Sequence, residues 1–302
     1  MQVVLAYIGV VLIWSTTPLG ITYSVDSLDY VQGSALRMWL SLAVCFILLK
    51  ALRVRFPTHK SALMSYGAGA VGVLGSMLCT YWAAGKVPSG LMAVLWGLSP
   101  MMVTIFSAWL LPGKNFSWAK LFSIALALGG LALVFSGQIN VATSMILGLL
   151  VLLVGVKLHA YSAVLIQKLQ TEVHPLAQTT GALAIAAPGY AIAWFFMSGP
   201  LPETVTVKSV FGVLYLAIMG SVVGFMAYFY LLKKLSAASV SLTTLITPVI
   251  ALVLGAVLED EKLPIETWLG AGVIMMALLV YNKDALLNQL PKLRRSVMAY
   301  VK

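Results

Sequence analysis

Three ionisable side chains, Arg37, Lys157 and His159, interrupt long apolar stretches of this 302-residue chain. A guanidinium or ammonium group inside an apolar helix can bind an anion, and no Asp or Glu occurs in these stretches to pair with one. We therefore expect Lys157 to face a wet central cavity, to bind an anionic or zwitterionic substrate group, and to be essential for the function of that cavity. The alternatives are a deprotonated lysine or one bonded to free backbone carbonyls.

The other two groups have two interpretations each. His159 points away from Lys157 and is either a proton carrier or an interhelical hydrogen bonder, whereas Tyr161, four residues after Lys157, shares its helical face. Arg37 lies about two turns from an acidic helix end, so a structural role, reaching toward Asp26 or Asp29, is favoured over substrate binding.

The elements that hold these residues are membrane helices. The chain is 61% hydrophobic and 9% charged, with a mean hydropathy of +0.99, which excludes a soluble globular domain. Only helices or closed barrels satisfy the backbone in lipid, and these apolar runs are too long and continuous for barrel strands. The sequence predicts an all-α integral membrane protein with ten transmembrane helices, at 3–24, 31–51, 62–84, 89–111, 117–136, 146–168, 175–197, 208–232, 237–258 and 265–281.

The charges between the predicted helices indicate an orientation. Lys and Arg concentrate in every second connection, whereas the alternate connections hold only Lys86, Lys208 and Lys262 and most of the Asp and Glu. By the positive-inside rule, both termini are cytoplasmic. The net charge of +10 is explained in this way, and no basic stripe with interleaved aromatic residues indicates nucleic-acid binding.

An internal repeat is visible at an offset of 148 residues. Leu98-Ser99-Pro100 aligns with Ile246-Thr247-Pro248, and Gly72 aligns with Gly220. Five helices per repeat place the second repeat upside down, which is the inverted arrangement of many secondary transporters. The predicted division is a first repeat over 1–137, a second over 145–282, and a basic cytoplasmic tail over 283–302 that lies on anionic lipid or is disordered.

Prolines, hydroxyls and aromatic rings complete the predicted site. Proline inside a span frees carbonyls, so broken helices are expected at Pro18, Pro100, Pro188 and Pro248. The expected substrate-binding residues beside them are Lys157, His159, Tyr161, Trp14, Trp96, Ser99, Thr243 and Thr247. Tyr81, Tyr228 and Tyr230 are also expected at helix ends, where aromatic residues more often form an interface belt.

Enzymatic chemistry has no support in the sequence. No phosphate-binding glycine loop, metal-ligand cluster or nucleophile with a base is visible, so neither a cofactor nor a metal is predicted. Cys45 and Cys79 lie in apolar runs without a CxxC spacing and are interpreted as core residues.

The chain resembles the drug/metabolite transporter superfamily, and in particular its EamA-type members with two repeated domains. The resemblance rests on L-I-W-S at 12–15, on Arg37 with Leu40 and Ala43, on the repeated L-x-P-like elements at 98–100 and 246–248, and on Glu261-Lys262-Leu263. It departs from the family at Pro112-Gly113-Lys114, where an acidic residue is usual, and at His159, where tryptophan is frequent. The resemblance implies a ten-helix bacterial inner-membrane carrier whose cavity is lined by all helices except the fifth and tenth, exporting small metabolites.

The predicted function is secondary-active export of amino acids or organic acids by alternating access, with lipids and a small-molecule substrate as partners. Proton coupling would use His159 or Lys157. The rival interpretations are an uptake or exchange carrier for phosphorylated or sugar-like metabolites, a passive channel, and a membrane-embedded enzyme.

Overall fold

A computed structural model describes residues 2–111, 118–136, 143–245, 247–258 and 264–281. The described residues form helices and short connections, and none of them is in a strand. Four features of the sequence lie outside these ranges: the basic tail, the Pro-Gly-Lys sequence at 112–114, Ile246 of the second repeated motif, and the Glu-Lys-Leu sequence at 261–263.

The helices follow one another with short turns. Two of them contain a π-helical segment, named here π1 and π2. In chain order the elements are α1 (Gln2–Ser24), α2 (Tyr30–Ala51), α3 (Lys60–Ala70), π1 (Val71–Ser76), α4 (Met77–Ala84), α5 (Ser89–Trp96), α6 (Ser99–Leu110), α7 (Trp118–Ser136), α8 (Thr143–Leu169), α9 (Pro175–Met197), α10 (Val207–Tyr215), π2 (Leu216–Val223), α11 (Gly224–Lys234), α12 (Ala237–Ser241), a 3₁₀ turn (Leu242–Leu245), α13 (Thr247–Leu258) and α14 (Ile265–Tyr281).

Within the described residues, seven helices are long and apolar enough to cross a membrane. They are Gln2–Ser24, Tyr30–Ala51, Lys60–Ala84, Ser89–Leu110, Ser144–Leu169, Pro175–Met197 and Val207–Lys234. The other three predicted segments also contain helix, in α7, α12 with α13, and α14. The chain is therefore an all-helical, multi-pass membrane protein, whereas ten crossings and the inverted repeat stay predictions.

Polar residues define where several helices begin. Asp29 caps α2, accepting from the backbone N–H of Val31 and Gln32 at 2.7 and 2.8 Å, while the Gln32 side chain accepts from the N–H of Asp29. His174 caps α9 immediately before Pro175, whose missing N–H costs nothing in the first turn. Such caps satisfy the free N–H groups at helix ends.

The prolines have two different outcomes. Pro100 and Pro248 lie in the first turns of α6 and α13, after interruptions of the helical path, as expected for broken helices. The predicted breaks at Pro18 and Pro188 are wrong, because α1 and α9 continue through them. Each of these prolines removes one hydrogen bond, and the packing of neighbouring helices holds the remaining turns together.

Helix boundaries recur at the offset of 148 residues. Adding 148 to the residue numbers of α2 gives the range of α9 within a few residues. The same offset relates α7 to α14. Both pairs also pack against each other. Two apolar clusters fill the interior, one around Tyr66 and Tyr190 and the other around Tyr81 and Leu149, and Trp96 packs against both. A central cavity lies where these two clusters meet.

Candidate functional site

A cavity opens between the helices near the middle of their length. Its space amounts to about 580 Å³ including the part open to solvent, and the centres of water molecules can occupy about 60 Å³ of it. Both halves of the chain contribute to its lining, which consists of Trp14, Thr17, Pro18, Ile21, Arg37, Met77, Thr80, Ala93, Trp96, His159, Phe225, Thr244 and Thr247.

Arg37 is the cation of this cavity. Its side chain is 1% exposed, its Nε donates to Ser221 Oγ at 2.9 Å, and Nη1 lies 3.5 Å from the Tyr81 hydroxyl. Among the described residues, no carboxylate pairs with it. The expectation that Arg37 reaches toward Asp26 or Asp29 is therefore wrong, because the guanidinium turns inward to groups of α4 and π2.

The acids near Arg37 have other partners, which explains this orientation. Asp29 caps α2 and accepts a hydrogen bond from Ser198 Oγ, and Asp26 accepts from Thr206 Oγ1 at 2.8 Å. Gly220 provides the space that the guanidinium occupies, since a Cβ there would lie 3.0 Å from Nη2. A Cβ at position 220 would require the guanidinium to shift by a few tenths of an ångström.

His159 lies within a cluster of aromatic rings. The ring centroids of Trp14, Trp96 and Tyr228 are 5.8, 5.1 and 5.2 Å from that of His159. The imidazole is 8% exposed, lines the cavity and forms no hydrogen bond with the described residues, so it is available to a ligand. Tyr228 and Tyr81 are buried inside the protein, which corrects their assignment to an interface belt.

Lys157 does not face the cavity, contrary to the sequence prediction. It is exposed on the outer face of α8, which it shares with Leu150 and Val154, while His159 points inward. Tyr161, four residues after Lys157, packs edge-on against Phe106 of α6, with ring centroids 5.4 Å apart. The rotation of α8 decides this outcome, because residues two apart on a helix point about 200° from each other.

The serine and threonine residues predicted to line the site lie in different places. Thr247 lines the main cavity, whereas Ser99 lines a smaller one beyond the rings of Trp14 and His159. Thr243 is buried and donates to the carbonyl of Val240 at 2.8 Å, and it lines neither cavity. Sequence reasoning missed Thr17, Thr80, Met77 and Phe225, whose types give no signal in an apolar helix.

A separate polar recess lies at the end of the helices where Lys233 and Lys234 terminate α11. Lys233 Nζ lies 2.7 Å from the Glu172 carboxylate, in the connection between α8 and α9. The hydrogen bond from Lys233, together with its charge, lowers the pKa of Glu172 below its usual value. Deeper in the recess, Ser65 Oγ donates to the Gln178 side chain at 2.8 Å.

The chemistry available in the main cavity is binding. One guanidinium, one imidazole, four threonine side chains and aromatic rings surround it. The described residues contain no group of three or more His, Cys, Asp or Glu side chains that could hold a metal ion. This arrangement can orient a polar ligand and then release it.

Comparison with known proteins decides the class. The sequence model of the EamA-like transporter family matches residues 1–136 and 146–283, which together make up most of the chain. The chain belongs to the EamA-like transporter family. This confirms the resemblance found in the sequence motifs and identifies the multi-pass membrane protein as a transporter.

Curated relatives of this transporter carry transport names. It is 27% identical to the inner membrane transporter YedA of Escherichia coli (strain K12), over 91% of this chain and 89% of the relative. It is 24% identical to a probable terminal-alkyne amino-acid exporter of Streptantibioticus cattleyicolor, over 94% and 95%. A solved crystal structure shares the fold, with a TM-score of 0.65, 16% identity, and coverage of 92% of this transporter and 95% of that chain.

Proposed function

We propose that this protein is a secondary-active transporter of the bacterial inner membrane that exports small carboxylate-bearing metabolites, such as amino acids or organic acids. Its two five-helix halves, 1–137 and 145–282, are inverted relative to each other and alternate the access of the central cavity to the two sides. Both termini are on the cytoplasmic side.

The observation that carries the proposal is Arg37. A guanidinium has five N–H donors in a planar fork, and Arg37 uses two hydrogen bonds with the described residues. A buried cation without a counter-charge is costly, and a carboxylate accepts two parallel hydrogen bonds from such a fork. A ligand carboxylate in the cavity would therefore supply the anion that the described residues lack.

The rest of the ligand is apolar and compact. Trp14, Trp96 and Phe225 provide the walls. The hydroxyls come from four threonines, Thr17, Thr80, Thr244 and Thr247. The region accessible to water centres corresponds to roughly four water molecules, so a ligand the size of phenylalanine would fill it together with its opening.

Rival functions fit these residues less well. A phosphorylated metabolite carries two negative charges, and among the described lining residues Arg37 is the sole Lys or Arg. Enzymatic turnover would require a nucleophile with a positioned base, and the described lining holds no such pair. The name of the Streptantibioticus relative supports amino-acid export, and that of YedA supports the inner membrane.

A thermal-shift series on the purified protein in detergent tests the ligand class. L-phenylalanine, 3-phenylpropionate and 2-phenylethylamine share a carbon skeleton and differ in charge. A ligand at 100 times its dissociation constant adds about 2.7 kcal/mol, which corresponds to roughly 5 °C. We expect both carboxylates to raise the unfolding temperature and the amine to leave it unchanged.

Two substitutions to methionine make the test specific. Arg37→Met should abolish the shift, while Lys157→Met removes a cation outside the cavity and should preserve it. If Arg37→Met does not fold, Arg37→Lys replaces it in the test. This variant keeps the positive charge but lacks the planar fork of the guanidinium, so ligand binding should weaken at least tenfold. Stabilisation by the amine alone, or equal loss of the shift in Arg37→Met and Lys157→Met, would refute the proposal.

In the proposed mechanism, proton coupling uses His159. The described membrane helices contain no Asp or Glu facing the cavity, and Lys157 lies outside it. In proteoliposomes, an imposed pH gradient should drive L-phenylalanine accumulation by the wild type and not by His159→Phe, while counterflow without a gradient persists in both. Unchanged accumulation in His159→Phe would exclude this route.

A further inference from the structure

Two π-helical segments lie at corresponding positions of the two halves. π1 (Val71–Ser76) separates α3 from α4, and π2 (Leu216–Val223) separates α10 from α11. The 148-residue offset places 71–76 on 219–224, so the two segments overlap. A π turn is wider than an α turn, is rarely stable by itself, and frequently occurs at functional sites.

Each π segment is bonded to a helix of the opposite half. Tyr190 of α9 donates its hydroxyl to the carbonyl of Val73 in π1 at 2.6 Å. The Ser41 hydroxyl of α2 is shared between the carbonyl of Arg37 in its own helix, at 2.6 Å, and the carbonyl of Ala217 in π2, at 3.1 Å. The 148-residue offset places Ser41 on Gly189, the residue before Tyr190. Both side chains are buried, where a carbonyl without a partner would be costly.

The π segments also support the two ionisable groups of the cavity. A Cβ on Gly72 of π1 would lie 2.9 Å from Ser162 Oγ and 3.8 Å from His159 Nδ1. In π2, Gly220 leaves space for the Arg37 guanidinium and Ser221 accepts its Nε–H. A rearrangement of either segment would therefore change the contacts of Arg37 or His159.

One buried hydroxyl distinguishes π1 from the regular helices. Ser15 and Thr80 donate back to the carbonyl four residues earlier, at 2.7 and 2.8 Å, which is common for hydroxyls in membrane helices. Ser76 Oγ is buried in π1 and has no hydrogen-bond partner in the described structure. In a regular α-helix, a serine hydroxyl can donate to the carbonyl four residues earlier, which here is that of Gly72.

We propose that π1 and π2 are paired pivots of the transport cycle and that Tyr190 and Ser41 are positioning residues that couple each pivot to the opposite half. The inference rests on the transport function proposed above. In this arrangement, movement of one half is transmitted through a single hydroxyl to the segment that supports Arg37 or His159. The cation and the imidazole then change their surroundings as access alternates.

Hydrogen exchange measured by mass spectrometry tests the coupling without a ligand. Tyr190→Phe and Ser41→Ala each delete one hydroxyl, and we expect exchange to rise about fivefold, the effect of one lost hydrogen bond. The increase in hydrogen exchange should be confined to residues 71–76 in Tyr190→Phe and to residues 216–223 in Ser41→Ala. Thr179→Val and Ser34→Ala are matched controls, because these hydroxyls bond within their own helices, to the carbonyls of Pro175 and Val31.

Counterflow of L-phenylalanine in proteoliposomes tests the role in the cycle. We expect at least a fivefold lower maximal rate in Tyr190→Phe and Ser41→Ala, an unchanged concentration for half-maximal rate, and normal kinetics in both controls. Unchanged local exchange, or raised exchange with a normal rate, would overturn the inference. If the wild type binds and transports none of the probes, the proposed ligand class fails, and local exchange alone then decides whether the two hydroxyls hold the π segments.

Discussion

Arg37 and Ser221, 184 positions apart, are joined by a hydrogen bond of 2.9 Å from Nε to Oγ. Arg37 belongs to the first of the two regions that match the transporter family and Ser221 to the second. The cation of the cavity is therefore held by both halves of the chain. A change in the relative position of the halves would alter the contacts of the guanidinium. Under the proposed function, this bond would link ligand binding to conformation.

Replacement of Lys157 should have little effect. The side chain is exposed on the outer face of α8, away from the cavity. We expect Lys157→Met to change the free energy of unfolding by less than about 0.5 kcal/mol, as for other surface substitutions, and to leave ligand-induced thermal shifts unchanged. Loss of L-phenylalanine binding in this variant would contradict the placement of Lys157.

Replacement of His159 should separate ring packing from imidazole chemistry. Three aromatic rings surround it at centroid distances of 5.1 to 5.8 Å. His159→Ala should lower the free energy of unfolding by about 2–4 kcal/mol through lost ring contacts and an unfilled space. His159→Phe keeps a ring and should cost less than about 1.5 kcal/mol. Denaturant unfolding in detergent checks both values, and equal losses would show that the ring contacts are not the source of stability.

Helices α7 and α14 should be sensitive to a single methyl group. A Cβ on Gly270 would lie 2.6 Å from the Gly130 carbonyl and 2.6 Å from Val134 Cγ2, so the two backbones could not keep their separation. Gly270→Ala should lower the free energy of unfolding by about 1–3 kcal/mol. Gly272→Ala is the matched control, because a Cβ there meets nothing within 4 Å. Equal stability of the two variants in thermal unfolding would contradict the close contact.

The ion pair between Glu172 and Lys233 gives a pH-dependent prediction. Lys233 lowers the pKa of Glu172, so the pair stabilises the folded state at neutral pH, and this contribution is lost as the pH falls through the lowered value. The Glu172 side chain is largely exposed, so the contribution is small. Lys233→Met should return the pKa of Glu172 toward about 4.3, as measured by carboxyl NMR. An unchanged pKa would show that the pair does not form in solution.

Much of the architecture could be predicted from the sequence because lipid imposes a simple rule. A helix that crosses a bilayer needs a long apolar run, so the runs indicated where α1, α2, α8 and α9 lie. The duplicated proline motif likewise indicated the interruptions before Pro100 and Pro248. Long-range pairing of β-strands, which is hard to infer from local sequence, is not needed for this prediction.

The direction of each polar side chain could not be predicted in the same way. The helices are apolar on nearly every face, because some faces contact lipid and others contact neighbouring helices. A polar residue therefore carries no signal of which face points inward. Lys157 and His159 are two residues apart, and only the rotation of α8 determines that His159 lines the cavity.

Apolar length and ordered motifs are local properties of the chain, so they were sufficient to predict the membrane environment, the helical class and the transporter family. The position of Arg37 in the cavity and the bonds of π1 and π2 to the opposite halves emerged from the packed helices alone. These features depend on contacts between residues more than 100 positions apart, such as Tyr190 with Val73 and Arg37 with Ser221. Packing of the two halves brings those groups within hydrogen-bond distance.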